Sequence, residues 1–222
     1  MKIKGAVFDF DGTLFDSMQI WDNIGIRYVK FLGKEPKAYL REELRTMSLK
    51  QSAEYLKAEY YIPQTIEQIM DEINHMIENY YYYEAQPKNG VIAWLDKLKK
   101  EHIVMCIATA TDRYLIEAAL KRCKMEHYFI QIFTCSEIGH GKDEPIIFRY
   151  AMEQLNLNRD TVIIFEDAHH AIVTAKEDGF IVAGVADRYE ARQKEIAQIS
   201  DCYISSFENY NQSWEDILLL YE

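Results

Sequence analysis

Lys4-Gly5-Ala6-Val7-Phe8 runs directly into Asp9-Phe10-Asp11-Gly12-Thr13. A short apolar run that stops at polar, turn-forming residues reads as a buried strand handing over to a loop. Ligands of parallel α/β sheets bind where such strands end. Asp9 and Asp11 bracket one residue; in an extended segment positions two apart share a face, so both carboxylates can address one site. Asp, Gly and Thr also populate solvated turns. What lifts the pair above that reading is Glu166-Asp167, a second acidic pair that follows a second apolar run, Val162 to Phe165. Carboxylates delivered by two strand ends suit a hard cation such as Mg²⁺, which takes oxygen ligands.

Outward from these strand ends the pattern repeats. Apolar runs recur at Ile103 to Ala108, Ile130 to Phe133, Thr161 to Phe165 and Phe180 to Val185. Between them lie helical patterns: Val91, Trp94, Leu95 and Leu98; then Leu115, Ile116, Ala119 and Leu120; then Ile147, Phe148, Ala151, Met152 and Leu155. Strands alternating with amphipathic helices predict an α/β fold, a Rossmann-like and mainly parallel sheet with helices on both faces. Ser17 to Gln86 breaks the alternation. It holds no convincing strand, and Ile20, Trp21, Ile24 and Tyr28 recur at helical spacing, as do Ile66, Ile69, Met70, Ile73 and Ile77. Ser48-x-x-Gln51 and Thr65-x-x-Gln68 are capping-box sequences and predict two helix starts. About 70 helical residues far exceed the dozen or so that a strand-to-strand crossover needs. The expected organisation is an α/β core of residues 1–16 and 87–222 with an inserted all-helical cap at 17–86.

A chain of 222 residues accommodates one large domain or a domain with an insert. Its 49% apolar and 27% charged residues match globular usage. Lys plus Arg at 25 against Asp plus Glu at 36 leaves a net charge of −11, which repels phosphate backbones and anionic membrane surfaces. Nucleic acid and membrane are therefore not expected partners. No stretch approaches the ~18 to 20 apolar residues that cross a bilayer, and Asp9 arrives before a signal-peptide core could form, so a soluble cytoplasmic protein is expected; a monomer is expected as well. Cys106, Cys123, Cys135 and Cys202 show no CxxC spacing, which favours reduced, packed thiols. The run Tyr80 to Tyr83 ends the insert. Adjacent tyrosines on a helix point in all directions, so packing at a helix end is expected rather than a ligand platform.

Asp9-Phe10-Asp11-Gly12-Thr13-Leu14-Phe15-Asp16-Ser17 resembles the first signature of the haloacid dehalogenase superfamily, whose phosphatase branch reads DxDGT followed by D-S or D-T. Thr109 at the end of Val104 to Ala108, Lys142 opening a helix, and Glu166-Asp167 fall in the order of the remaining signatures. The likeness covers the whole chain, and the insert sits where the β-phosphoglucomutase-like subfamily carries its helical cap. This resemblance implies a Mg²⁺-dependent phosphatase that acts on a small phosphorylated metabolite, a sugar phosphate first, through an aspartyl-phosphate intermediate. It implies Asp9 as nucleophile and Asp11 as general acid, then base. Thr109, Ala110 and Lys142 would bind the phosphoryl group; Asp9, Asp11 through its backbone carbonyl, Glu166 and Asp167 would hold Mg²⁺. Substrate contacts from the cap are expected at Trp21, Arg45, Thr46, Met47, Ser48 and Lys50. The residue types suit these roles, since a hydroxyl and an ammonium are what a phosphoryl group losing its ester partner needs. Thr109-Ala110-Thr111-Asp112 also opens a helix, whose free N–H groups favour an anion.

Two stretches depart from the family pattern. Lys142-Asp143-Glu144-Pro145-Ile146 replaces the common K-P-x-P-D and sets two extra acids beside the lysine. Glu166-Asp167-Ala168-His169-His170-Ala171 replaces E-D-S-x-x-G. Adjacent helix residues point about 100° apart, so the two histidines do not form a metal site, and His169 is expected at the site margin. Asp11 favours phosphoryl transfer over halide displacement, because dehalogenases of the superfamily lack the second aspartate. No lysine in the insert has a context that singles it out as the Schiff-base lysine of a phosphonatase. A phosphosugar mutase of the β-phosphoglucomutase type carries a cap histidine, absent from Ser17 to Leu32, and an arginine where Leu49 stands. A non-catalytic phospho-accepting regulatory module shares the residue types but is usually shorter and lacks a helical insert. A scaffold that has lost catalysis is disfavoured because every expected catalytic residue type is present.

Overall fold

Strand β1 (Gly5–Phe8) is buried along its whole length, as expected of a short apolar run inside a parallel sheet. The computed structural model describes residues 3–45 and 47–209 and the single positions 215 and 217. After β1 the chain forms α1 (Met18–Phe31), α2 (Leu40–Leu44), α3 (Leu49–Tyr60) and α4 (Ile66–Asn79), then one π-helical turn at Tyr80–Glu84. The alternating part follows: α5 (Val91–Lys100), β2 (Val104–Thr109), α6 (Arg113–Arg122), β3 (Ile132–Thr134), α7 (Cys135–Ile138), α8 (Ile146–Gln154) and β4 (Val162–Glu166). It ends with α9 (His169–Glu177), β5 (Ile181–Val185), α10 (Gln193–Ile199) and β6 (Cys202–Ile204). The six strands form one parallel sheet in the order β3-β2-β1-β4-β5-β6. This is the predicted Rossmann-like α/β architecture.

Alternation along each strand divides the core into two layers. Phe8, Ile107 and Phe165 pack with Trp94, Leu95 and Leu98 of α5 and Leu115 and Ile116 of α6 on one face. Val7, Cys106 and Ile164 pack with Phe148, Ile172 and Ile196 on the other. Phe8 and Phe165 stack with centroids 4.4 Å apart, which locks the two central strands side by side. Strand β6 has no counterpart among the predicted strands. Cys202-Tyr203-Ile204 is too short to display a period, and it becomes a strand because β5 offers it an open edge, pairing Ala183 with Cys202.

Both predicted capping boxes form. Ser48 Oγ accepts from Gln51 N at 3.3 Å while Gln51 Oε1 accepts from Ser48 N at 2.7 Å; Thr65 and Gln68 repeat this at 3.2 and 2.9 Å. Each cap side chain contributes about 1 kcal/mol to its helix. Leu56, Ile69, Ile73 and Ile77 are buried where α3 and α4 pack. The chain enters and leaves this helical insert through adjacent segments: Asp16 N donates to Gln86 O at 3.0 Å and Lys88 N to Leu14 O at 2.8 Å. Tyr80 Oη donates to Asp16 O at 2.9 Å, so the tyrosine run ties the exit to the entrance. Tyr81 is buried, whereas Tyr83 is 72% exposed. All four cysteines are free, with Cys106 and Cys135 buried. Among the described residues no helix is long and apolar enough to cross a membrane.

Candidate active site

From β1 the chain builds β2 and β3 on one side and β4, β5 and β6 on the other. The strand order therefore reverses between β1 and β4, and a crevice opens at their carboxyl ends. The register pairs Phe8 with Phe165, so the next residues, Asp9 and Glu166, leave the sheet side by side. Asp9 N donates to Phe165 O at 2.9 Å and holds that alignment. Asp9, Glu166 and Asp167 are all buried, and one carboxylate oxygen from each lies within 4.8 Å of the others. Lys142 Nζ, 6% exposed, bridges Asp9 Oδ1 and Glu166 Oε2, the latter at 2.7 Å. Lys142 lies in the turn before α8 rather than opening the helix as expected. Pro145 sets the helix start, where a fixed φ and a missing N–H cost nothing, and leaves the lysine in a turn free to reach the sheet.

Three buried carboxylates against one ammonium leave excess negative charge. Burial pushes the Asp9 carboxyl up to about 7, with Lys142 pulling it down and Glu166 adding to the rise. Asp167 is pushed well above the usual carboxylate range by burial, then by Asp9 and Glu166. An all-oxygen donor set with surplus charge fits a divalent ion such as Mg²⁺. Thr13 Oγ1 donates to Asp167 Oδ1 at 2.9 Å and orients it. Gly12, at φ +83°, approaches so closely that a Cβ there would lie 2.2 Å from Asp167 Oδ2. The motif thus requires glycine at this position for two reasons, backbone conformation and space.

The Asp11 side chain stands outside that three-carboxylate group. Its Oδ1 accepts from Ser17 Oγ at 2.5 Å and Tyr81 Oη at 2.5 Å, and its Oδ2 from Thr111 Oγ1 at 2.6 Å. Trp21 Nε1 in turn donates to Tyr81 Oη at 2.7 Å. Burial, then the neighbouring Asp9 charge, raises Asp11 to about 6 against the downward pull of its three hydroxyl donors. Tyr81 escaped the sequence analysis, which assigned the tyrosine run to packing. The one available signal was its place at the insert's return to the core; π-helical turns recur at functional sites.

Residues 6–185 match the family described as haloacid dehalogenase-like hydrolase. The chain belongs to this family. A phosphorylated carbohydrates phosphatase of Thermotoga maritima is 23% identical over 80% of this chain and 82% of its own. A pyrophosphatase, PpaX, of Bacillus thuringiensis is 24% identical over 84% of each chain. In fold, this haloacid dehalogenase-like hydrolase is similar to CbbY of Rhodobacter sphaeroides, solved with xylulose-1,5-bisphosphate. That likeness has a TM-score of 0.79 at 21% identity over 93% of this chain and 96% of the other. It is also similar to β-phosphoglucomutase of Clostridium difficile, with a TM-score of 0.77 at 17% identity over 98% and 99%.

In this haloacid dehalogenase-like hydrolase the crevice opens into a cavity of about 210 Å³ between the sheet edge and the insert. Thr109 and Ala110 line it beside Asp9, Asp11 and Lys142, and Trp21, Arg45, Met47 and Ser48 line it from the insert. Leu49, where the mutase-type arginine would stand, also lines it. Lys50 is exposed on α3 and is not among the lining residues, because the helix turns it away from Leu49. Thr46 lies outside the described residues. Arg45 Nη2 donates to Tyr189 O at 2.5 Å, and Gln51 Nε2 to Asp143 Oδ2 at 3.1 Å, so the insert touches the core on two sides of the cavity. The histidine expectation is corrected. His170 lines the cavity, while His169 Nε2 points to Glu195 at 3.2 Å. Helix α9 starts at His169, and the turn of about 100° to the next position aims the second ring inward. Burial, then Lys142, lowers His170 to about 4, so it is neutral at pH 7.

Proposed function

We propose that the protein is a Mg²⁺-dependent phosphomonoesterase acting on a small phosphorylated metabolite, with a sugar phosphate as the first candidate. The observation that carries this reading is the division of labour between two aspartates two residues apart. Asp9 lies among the carboxylates and Lys142, whereas Asp11 is turned away from them and held by three hydroxyls. A carboxylate kept by a lysine at a charge-rich centre suits nucleophilic attack on phosphorus. A carboxyl raised to about 6 can carry a proton near neutrality and give it up again.

In this mechanism an Asp9 oxygen bonds to phosphorus as the ester P–O bond breaks, and the departing oxygen takes the Asp11 proton. Water then attacks the aspartyl phosphate, Asp11 receives the water proton, and inorganic phosphate leaves with Asp9 restored. Asp9, Glu166 and Asp167 would hold the divalent ion, which offsets charge on the phosphoryl group. Lys142, the Thr109 hydroxyl and the Ala110 N–H complete the phosphate cradle. Residues 17–86 act as a cap that excludes bulk water, over a core of 1–16 and 87–222. The setting fitting this chemistry is a cytoplasmic monomer. The relatives named for phosphorylated carbohydrates and for pyrophosphate support phosphate release as the chemistry.

Release of phosphate from an aryl phosphate tests the reading. Turnover should need Mg²⁺, stop on chelation and vanish in Asp9→Asn; metal-independent turnover would sink it. With β-glucose 1-phosphate, phosphate should accumulate with negligible glucose 6-phosphate, even with a bisphosphate primer. Isomerisation as the main outcome would instead establish the mutase.

A further inference from the structure

The fold treats the two carboxyl oxygens of Asp11 differently. Oδ1 accepts from Ser17 Oγ and from Tyr81 Oη, each at 2.5 Å, whereas Oδ2 accepts from Thr111 Oγ1 at 2.6 Å. Each carboxyl oxygen offers about two lone-pair sites, so Oδ1 is filled and Oδ2 keeps one place. Ser17, Tyr81 and Thr111 are buried, which makes an unmade hydrogen bond here expensive. A hydroxyl can donate or accept, so the direction of the Tyr81 bond needs a cause. Trp21 supplies it. Its indole nitrogen can only donate, and it donates to Tyr81 Oη at 2.7 Å. With that acceptor site taken, the Tyr81 hydroxyl is left to donate toward Oδ1. The phenol also keeps its proton, since burial, then the Asp11 charge, raises it well above the usual tyrosine range. Its ring stacks with Phe10, the residue between the two aspartates, with centroids 6.4 Å apart.

Resting on the phosphatase reading above, we propose that Tyr81 and Trp21 are positioning residues for the general acid: Tyr81, directed by Trp21, reserves Asp11 Oδ1 as an acceptor and confines the transferable proton to Oδ2. In the protonated carboxyl, Oδ1 then keeps both of its donors. Oδ2 still accepts from Thr111 and is free to donate to the ester oxygen. A proton on Oδ1 would instead displace Ser17 or Tyr81 and leave a buried hydroxyl unpaired. As the ester P–O bond breaks, the Oδ2–H bond breaks with it. The proton passes to the departing oxygen and the electron pair stays on Asp11; in the second step the proton of the attacking water returns to Oδ2. Trp21 therefore has a role beyond the substrate contact expected of it. Its ring lines the cavity while its N–H acts through Tyr81.

Tyr81→Phe and Trp21→Phe each keep an aromatic face and remove the O–H or N–H. On an alkyl phosphate, whose leaving oxygen needs a proton, Tyr81→Phe should lower kcat roughly tenfold or more, and Trp21→Phe by part of that, with KM moved less than about twofold. On an aryl phosphate both should keep kcat within about twofold. The double variant should lose no more than Tyr81→Phe alone, because Trp21 acts through Tyr81. Equal losses on both esters, additive losses in the double variant, or a rise in KM as the main effect of Trp21→Phe would each overturn the proposal. The carbonyl stretch of protonated Asp11, identified by its loss in Asp11→Asn, gives a readout that needs no turnover. Its infrared frequency should rise in Tyr81→Phe, where Oδ1 loses a donor, and less in Trp21→Phe. If the parent hydrolyses no ester, the phosphatase reading falls while this band still decides the assignment. A band unmoved in Tyr81→Phe would overturn it.

Discussion

At the carboxyl ends of β1 and β4, polar groups are placed by strand register. Phe8 beside Phe165 sets Asp9 beside Glu166, and the ladder carries that alignment across 157 residues of chain. In the helical insert the groups that reach the site are placed by single side-chain contacts instead of a ladder. Tyr81 meets Asp11 across 70 residues, Gln51 meets Asp143 across 92, and Arg45 meets Tyr189 across 144. Parallel strands transmit position along a rigid ladder, whereas the insert returns to the core through a few hydrogen bonds at Asp16, Gln86 and Tyr80. Chemistry rooted in the sheet should therefore fail abruptly on substitution, and contacts from the insert should fail gradually.

The largest effect expected is at Asp9. Asp9→Asn should cut turnover by on the order of a thousandfold or more while keeping the fold, because the amide is nearly isosteric and cannot form the aspartyl phosphate. Near-normal activity with an unchanged melt would remove Asp9 from the nucleophile role and erase the contrast.

Metal and proton should compete at the same edge. Mg²⁺ at ~100 times its dissociation constant should stabilise the parent by roughly 2.7 kcal/mol, and Asp167→Ala should lose most of that gain. A melt unmoved by millimolar Mg²⁺ would contradict the metal site. Without metal, Asp9 has its carboxyl pushed up to about 7 by burial, so the folded chain holds this proton more tightly than the unfolded one. Its stabilising contribution is full below the ordinary carboxylate value of 3.8 and is lost as pH rises through about 7. His170, lowered to about 4, acts with the opposite sign, its contribution being lost as pH falls from 6.5 through about 4. Subtracting the melts of Asp9→Asn from those of the parent across pH 4 to 8 isolates the first effect. A difference that does not fall as pH rises would refute the assigned shift.

Tyr81 sharpens the comparison because it belongs to the insert and touches a sheet-edge group. Tyr81→Phe removes one of the three hydroxyls holding Asp11. A hydrogen bond to a charged group is worth about 1.5–3 kcal/mol, so kcat on an alkyl phosphate should fall roughly tenfold or more. An aryl phosphate, which departs with little need of an acid, should be affected far less. Equal losses on both would show that Tyr81 supports only the fold. The smallest effect belongs to the partly exposed tie across the cavity mouth. Gln51→Ala should cost roughly 1 kcal/mol or less at the α3 capping box and raise KM modestly without changing kcat. A large fall in kcat would mean that the insert's docking, not the sheet edge, limits the chemistry.

Much of the molecule was legible before folding was considered. The five strands with clear apolar runs, the helical character of the insert and both capping boxes all follow from periods and spacings of a few residues. So does the pairing of acids at two strand ends. Strand β6 was not legible, since three residues carry no period and depend on an edge supplied by β5. The inward turn of His170 rather than His169 needed the helix start of α9, which terminal residues define poorly. Lys50, expected as a substrate contact, is off the cavity because the phase of α3 places Leu49 there instead.

The architecture, the family and the residue types of the site can all be read from the linear chain, because burial patterns and motif spacings are local properties. Tertiary structure alone decided that Tyr81 holds Asp11, that Trp21 holds Tyr81, and that Lys142 bridges Asp9 and Glu166. Those facts concern groups dozens of residues apart. Their meeting depends on how the helices pack and return to the sheet, and hydrogen bonds of this kind leave no period in a sequence.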